Sequence, residues 1–307
     1  MGFVVTDRQQ AAEVTKIVGY QPRRTPARME LPDQKSVDLR GSLLWLSEQT
    51  AAHAGVVRSV VSIWVWCSLL RRDVLCLAQH VFTWLERHGE EVALLWPSVR
   101  RELRNMGKVV PLVFADVGAR LGRVLYAADA MGASEVDHGG FGVVGRVVSD
   151  ALVEEIFTRG SELGYTVARL EGGGGFKFPE KPCRRTKPHT LLPRALFEPE
   201  DEWLPISAGR WSYPDHITLG ECRAVLKMLD PILAVSKAHR QKIVCLEDNQ
   251  PTKGAFTKGR SSAPAVNYLA RRKTARTLAG DFRLLLPWVE SAKMPADWLS
   301  RLLYFRP

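Results

Sequence analysis

The sequence predicts an α/β protein: a five-stranded mixed sheet with flanking helices, preceded by a small all-α domain. Two observations carry this prediction. From about residue 38 to residue 106, apolar side chains recur every three or four positions, which is typical of amphipathic helices. After Gly118, short apolar runs alternate with turn residues and helix-like segments, which is typical of strands interleaved with helices. The second part reads as the order βββαβαβα.

The first part divides into an irregular segment over residues 1–37 and a helical domain over residues 38–117. A short apolar run at residues 2–5 resembles a strand, and three prolines then interrupt any regular pattern. In the helical domain, Val56, Val60 and Trp64 share one face of a first helix. A second helix is predicted at residues 73–88 and a third at residues 91–106, with Val92 and Val99 facing inward.

The second part, residues 118–307, contains the five predicted strands. They lie at residues 124–128, 139–144, 204–212, 242–246 and 282–286. Helices are expected from about residue 218, over residues 263–278 and over residues 295–303. Residues 149–202 hold one short helical pattern and otherwise little regularity, so most of this stretch is predicted to be a surface insertion.

Composition favours an intracellular protein with a polyanionic partner. The 307 residues carry a net charge of +10, and a basic excess of this size favours nucleic acid as the partner. The five cysteines are widely spread and form no Cys-x-x-Cys pair, so free thiols are expected instead of a disulfide framework or a zinc site. No signal peptide is visible, and the longest apolar run, residues 56–70, is too short for a membrane span.

Four acids stand where separate predicted elements begin or end. Asp129 and Asp248 each follow an apolar strand, Glu221 lies at the capping-box position after Thr218, and Asp297 opens the last helix. A carboxylate in such a place loses hydration, and a divalent metal best offsets that loss when several acids converge. The acids are too far apart in sequence for a local metal-binding loop, so the fold would have to bring them together.

The motifs around these acids resemble the ribonuclease H domain of retroelement reverse transcriptases, of the DIRS- or gypsy-like type. The resemblance covers roughly residues 120–303. The residues that carry it are Ala128-Asp129-Ala130, Phe141-Gly142-Val143-Val144, Trp211-Ser212, Glu221, Glu247-Asp248-Asn249, Lys258-Gly259-Arg260-Ser261-Ser262 and Pro295-Ala296-Asp297-Trp298-Leu299-Ser300-Arg301.

The resemblance implies a metal-dependent endonuclease that hydrolyses the RNA strand of RNA–DNA hybrids with two Mg²⁺ ions, or Mn²⁺ in their place. By this analogy Asp129 bridges the two ions, Asp297 completes the site of the water-activating ion, and Glu221 and Asp248 hold the ion at the leaving group. The family often has a histidine near the position of Trp288. The tryptophan in place of that histidine is expected to affect turnover more than metal binding.

The same resemblance gives the first part of the chain a place. Residues 1–37 would be a remnant of a polymerase palm and residues 38–117 a thumb- or connection-like domain, with the upstream polymerase region of the same polyprotein as partner. No Tyr-x-Asp-Asp motif occurs, so DNA synthesis by this chain alone is not expected. Basic residues after the Asp248 strand are predicted to hold phosphates: Lys253, Lys258, Arg260, Arg271, Arg272, Lys273 and Arg276.

Three alternatives remain open. The chain could be an inactive retroelement relic that binds nucleic acid through its charge. It could be the core of a transposase or integrase, although such cores usually rely on three acids and the fourth acid here argues against one. It could also be a structural protein with a basic surface, in which case the four acids would be scattered.

Overall fold

The computed structural model describes residues 19–135, 137–160 and 202–301, with the side chains of residues 157–160 left out. The first part of the chain is built on four helices: α1 (Asp33–Glu48), α2 (Ala54–Ser68), α3 (Gln79–His88) and α4 (Pro97–Val109). Their apolar faces meet in one core, in which Trp64, Trp84 and Leu103 are fully buried. The helix α1 begins at Asp33, ahead of the predicted boundary at residue 38.

The all-α character predicted for residues 38–117 is not confirmed, because strands from this range take part in two small antiparallel sheets, one of which also includes strands from the segment predicted to be irregular. One contains β1 (Gln21–Arg23), β2 (Arg28–Glu30) and β5 (Ala115–Asp116), and the other pairs β3 (Ala51–His53) with β4 (Val92–Leu94).

The strand β4 replaces the start of the predicted third helix. Trp96 is extended, with ψ of 148°, because Pro97 follows it and disfavours the helical conformation at the preceding residue. The helix therefore begins only at Pro97, and Val92, predicted to face inward, is 70% exposed. The predicted second helix likewise begins as a 3-10 helix at Arg72–Ala78 before α3 continues it.

The large sheet confirms the predicted five-stranded mixed arrangement. Its strands are β6 (Arg120–Met131), β7 (Gly140–Val147), β8 (Leu204–Arg210), β9 (Gln241–Leu246) and β10 (Arg283–Leu285), in the order β10-β9-β6-β7-β8. The strands β6, β7 and β8 run antiparallel as a meander, while β9 is parallel to β6 and β10 is parallel to β9. This arrangement is compatible with a ribonuclease H-like fold.

Helices cover both faces of the large sheet. The helix α6 (Ile217–Ala234) packs on Ala128 and Ala130 of β6, with α7 (Gln250–Lys258) and α8 (Pro264–Ala279) beside it. Adjacent residues of a strand point to opposite faces, so Leu125 and Ala127 face the other core, where α5 (Asp150–Gly160) and α9 (Asp297–Arg301) lie. The helix α7 was not predicted.

The helix α5 changes the interpretation of the predicted insertion at residues 149–202. Val153 and Ile156 are buried against the sheet, so the start of this stretch belongs to the core. Residues 161–201 lie outside the described part of the chain, as do the strand predicted at residues 2–5, Cys183 and the end of the last predicted helix. The division of the chain into residues 1–37, 38–117 and 118–307 stays a prediction.

Two expectations about the whole chain have structural counterparts. Cys67, Cys76, Cys222 and Cys245 are buried and carry free thiols, as expected. Among the described residues, every helix is too short or too polar to cross a bilayer.

Candidate metal centre

Three of the four predicted acids meet at one end of the large sheet. Asp129, Glu221 and Asp248 each present a carboxylate oxygen, and these three oxygens all lie within 4.8 Å of one another. Asp129 and Glu221 are buried, with 5% and 4% of their surfaces exposed, whereas Asp248 is half-buried. The group is therefore a small anionic pocket that opens to solvent on the Asp248 side.

Strand register brings Asp129 and Asp248 together. The strands β6 and β9 are parallel neighbours, and Ala127 stands opposite Leu246. Asp129 and Asp248 each lie two residues further along, so they are level with each other at the same end of the sheet. Asp248 follows β9 as predicted, whereas Asp129 lies within β6, which continues to Met131 instead of ending before it. Side chains alternate along a strand, so both point to the face occupied by Ala127 and Leu246.

Glu221 reaches the pocket from the buried face of α6. Its Oε2 atom accepts a hydrogen bond from the backbone N–H of Ala130, 3.0 Å away. The predicted helix start, with the N-cap at Thr218 and Glu221 at its capping-box position, is wrong. The capping residue is His216, whose Nδ1 atom accepts a hydrogen bond from the backbone N–H of Thr218 at 3.2 Å. The Glu221 carboxylate therefore takes no part in capping the helix and lies in the pocket.

Asp129 is held from the opposite side by α9. The hydroxyl of Ser300 donates to Oδ2 of Asp129 across 2.5 Å. The pKa of Asp129 is raised to about 7: burial is the largest cause, the hydrogen bond from Ser300 and the charge of Arg301 oppose it, and the charges of Asp248 and Asp297 add to it. The carboxyl group is consequently half-protonated near neutral pH when no cation is bound.

Asp297, the fourth predicted acid, lies beside the group but not within it. Its Oδ1 atom accepts hydrogen bonds from Nε and Nη2 of Arg301, at 3.0 and 2.7 Å. It remains close enough for its charge to raise the pKa of Asp129, and its backbone carbonyl lies 2.9 Å from the Ser300 hydroxyl. The structure therefore brings three acids into one pocket and leaves the fourth paired at its rim.

A fifth acid, Glu247, was missed as a site residue. It is fully buried, its Oε1 atom accepts from the backbone N–H of Asn249 at 3.1 Å, and its Oε2 atom has no hydrogen-bond partner among the described residues. Burial, together with the charges of Asp248 and Asp129, holds its pKa well above the ordinary value for a glutamate. Strand alternation was the available signal, because Cys245, two residues earlier, faces the α6 core.

The residues present fit a divalent cation. Burial, then the charges of Glu247, Asp129 and Asp248, raise the pKa of Glu221. Several acids that cannot all be ionised together in a desolvated pocket are stabilised by a cation of double charge. Carboxylate oxygens are the donors that Mg²⁺ and Mn²⁺ prefer, so the triad of Asp129, Glu221 and Asp248 could bind such a metal. Nothing in the pocket identifies the ion.

The predicted phosphate-binding residues separate into two groups. Lys258, Arg260 and Arg272 are exposed, and Lys253 is half-buried. The other three are engaged within the protein, since Arg271 pairs with Glu102, the buried Lys273 pairs with Asp73, and Arg276 pairs with Asp230 at 2.6 Å. The first two of these pairs join α8 to the helical part of the chain, so they hold the molecule together.

Comparisons with known proteins yield weak structural likeness and no sequence match. No protein-family model matches the chain, and no curated protein matches its sequence. A solved structure entitled "Structure of the foamy viral protease-reverse transcriptase in complex with RNA/DNA hybrid" is similar with a TM-score of 0.26 and 9% sequence identity. The match covers 95% of this chain and 52% of that one, so the chain spans about half the length of that structure.

Proposed function

We propose that this protein is a metal-dependent endonuclease of the ribonuclease H type that hydrolyses the RNA strand of RNA–DNA hybrids. The observation that carries the proposal is the convergence of Asp129, Glu221 and Asp248 within 4.8 Å, from a strand, a helix and the segment that follows a second strand. These three acids also belong to the motifs that resemble the ribonuclease H domain. A structural protein with a basic surface gives no reason for such a convergence.

The acids have separate tasks in this proposal. Asp129, Glu221 and Asp248 would hold Mg²⁺, or Mn²⁺ in its place, and Asp297 would join them once its carboxylate turns from Arg301. A divalent ion in such a site would lower the pKa of a bound water, which would then be a better nucleophile toward phosphorus, and would neutralise charge on the leaving oxygen. Ser300 keeps Asp129 oriented, and the backbone N–H of Ala130 keeps Glu221 oriented.

Substrate binding would rest on the exposed basic residues Lys258, Arg260 and Arg272, with Lys253 beside them. Contacts of this kind hold phosphates without reading the base sequence, so binding should weaken as salt concentration rises. In the same proposal the chain is the C-terminal part of an intracellular retroelement polyprotein, with an upstream polymerase region as partner. The four buried free thiols fit a reducing compartment.

Cleavage of a hybrid whose RNA strand carries a fluorescent label tests the proposal. The full chain with Mg²⁺ is compared with Asp129→Asn, and Glu86→Gln serves as a control because Glu86 is an exposed carboxylate on α3. We expect cleavage by the full chain and the control, and a loss of at least about 100-fold in Asp129→Asn. Equal rates from all three proteins would contradict the proposal.

A second candidate is a nucleic-acid-binding relic without turnover. The pairing of Asp297 with Arg301 favours it, because an acid neutralised by arginine is a poorer metal ligand. This candidate predicts binding of the hybrid, with salt dependence, and no cleavage above the level of Asp129→Asn. The same assay, with binding measured in parallel, therefore separates the two functions.

A further inference from the structure

Trp288 is held in an exposed position directly beside the acidic pocket. Its backbone forms a parallel bridge with Glu247, in which Glu247 N–H donates to Pro287 and Val289 N–H donates to Glu247, each at 3.1 Å. Its indole N–H donates to the backbone carbonyl of Asp248 at 2.9 Å. The ring is therefore tied to the same short segment that carries one of the three acids.

The exposure of Trp288 contrasts with its neighbours. Leu286 and Val289 are each 4% exposed, whereas Trp288 is 37% exposed. The indole N–H already has its partner in Asp248, so the part of the ring left in water is apolar surface. An aromatic face that backbone contacts hold in place beside the pocket is available to pack on a bound molecule.

We infer that Trp288 is a substrate-binding residue, whose indole face packs on the nucleotide next to the phosphate held at the Asp129, Glu221 and Asp248 pocket. This inference rests on the proposed function. Every nucleotide presents a flat base and a sugar ring, so an aromatic face binds it without regard to sequence. The occupant is a nucleic-acid strand because the ring is hydrogen-bonded to the backbone carbonyl of Asp248, and the side chain of Asp248 belongs to the group that would hold the phosphate through a cation.

Two substitutions separate a stacking role from a structural one. Trp288→Phe keeps an aromatic face but loses the hydrogen bond to Asp248, whereas Trp288→Ala loses both. Trp45→Ala is the matched control, because Trp45 is 58% exposed on α1, which packs in the core of the helical first part of the chain. Affinity for the RNA–DNA hybrid is measured by fluorescence anisotropy in an Asp129→Asn background, and KM and kcat are measured in the active chain. Thermal melting shows whether each variant is folded.

We expect Trp288→Ala to weaken hybrid binding and raise KM about tenfold, with Trp288→Phe retaining most of the affinity and Trp45→Ala unchanged. Unchanged affinity in Trp288→Ala, or an equal loss in the Phe and Ala variants, would overturn the inference. If cleavage depends on Asp129 but Trp288→Ala leaves affinity and KM unchanged, the proposed function is supported and the inference about Trp288 is overturned. If Trp288→Ala weakens hybrid binding but the full chain does not cleave the hybrid, the stacking contact is supported and the proposed hydrolysis is contradicted.

Discussion

At the scale of single residues, the pocket is built from carboxylates that the fold buries close together, where their negative charges repel one another. Asp129 is buried beside Glu221 and Asp248, and its pKa is raised to about 7. The ordinary pKa of an aspartate in an unfolded chain is about 3.9. Between these two values, the folded protein keeps a proton that the unfolded chain has released. The contribution of Asp129 to the stability of the cation-free protein therefore falls as pH rises from about 4 to about 7.

The substitution Asp129→Asn should remove this loss. Asparagine has nearly the same shape, still accepts a hydrogen bond from Ser300 and carries no charge at any pH. We expect the variant to match the parent at pH 4 and to exceed it in free energy of unfolding by up to about 4 kcal/mol at pH 8, in the presence of a chelator. Chemical denaturation across this pH range measures the difference. A difference that stays constant with pH would show that Asp129 does not titrate as stated.

At the scale of secondary structure, the approach of α9 to the sheet decides where Asp129 points. Gly142 stands opposite Asp129 on β7, and a Cβ atom there would lie 2.5 Å from the backbone nitrogen of Ser300 and 2.9 Å from the carbonyl carbon of Leu299. Only glycine leaves room for α9 to lie this close. The hydrogen bond from Ser300 to Asp129 depends on that contact.

The substitution Gly142→Ala should force α9 away from the sheet. Backbone atoms of Leu299 and Ser300 cannot move aside as a flexible side chain would, so we expect a loss of about 2 kcal/mol in the free energy of unfolding. Hybrid cleavage should fall with it, because Asp129 loses its hydroxyl partner. Gly254→Ala on α7 is the control, since a Cβ atom there meets nothing within 4 Å. The control should be neutral or up to about 1 kcal/mol more stable. Equal stabilities of the two variants would contradict this account.

The positions of the acids could be predicted from the sequence only in part. Asp129 and Asp248 lie together, and the signal for them in the sequence was the apolar run before each one, although β6 continues past Asp129 to Met131. Glu221 was expected in the pocket for a wrong local reason, since His216 caps the helix. The Asp297–Arg301 pair is a local contact of the i, i+4 type that the sequence already contained. The extended conformation at Trp96 likewise follows from Pro97 alone.

At the scale of the whole molecule, the sheet and the helical part are joined by charged side chains of α8. Lys273 is 3% exposed and binds Asp73 and the carbonyl oxygen of Phe256, and Thr277 donates to the second oxygen of Asp73 at 2.9 Å. Although burial raises it, the charges of Lys273 and Arg71 bring the pKa of Asp73 below its ordinary value. Such contacts, between residues 200 positions apart, leave no pattern in the sequence. Lys273 and Arg271 were therefore predicted to bind phosphates, because nothing in the sequence indicates these long-range contacts.

The substitution Lys273→Met should uncouple the two parts of the chain. It removes one partner of a buried pair and leaves Asp73 without its nearest positive charge, so we expect a loss of about 3 kcal/mol in the free energy of unfolding. Arg272→Met is the control, because Arg272 is the exposed neighbour on the same helix. The control should keep its stability within about 0.5 kcal/mol and lose affinity for the hybrid instead. Denaturant melts and salt-dependent binding of both variants check this; matching stabilities would show that the pair contributes nothing.

The central claim is that the carboxylates of Asp129, Glu221 and Asp248 form one divalent metal site. Titration calorimetry with Mn²⁺, and with Mg²⁺ at higher concentration, tests it most directly on the full chain and on Asp129→Asn. The account predicts saturable binding by the full chain that weakens below pH 7, as protons compete for Asp129, and at least about tenfold weaker binding by the variant. Identical binding curves for the two proteins, or no saturable binding by the full chain at pH 8, would contradict it.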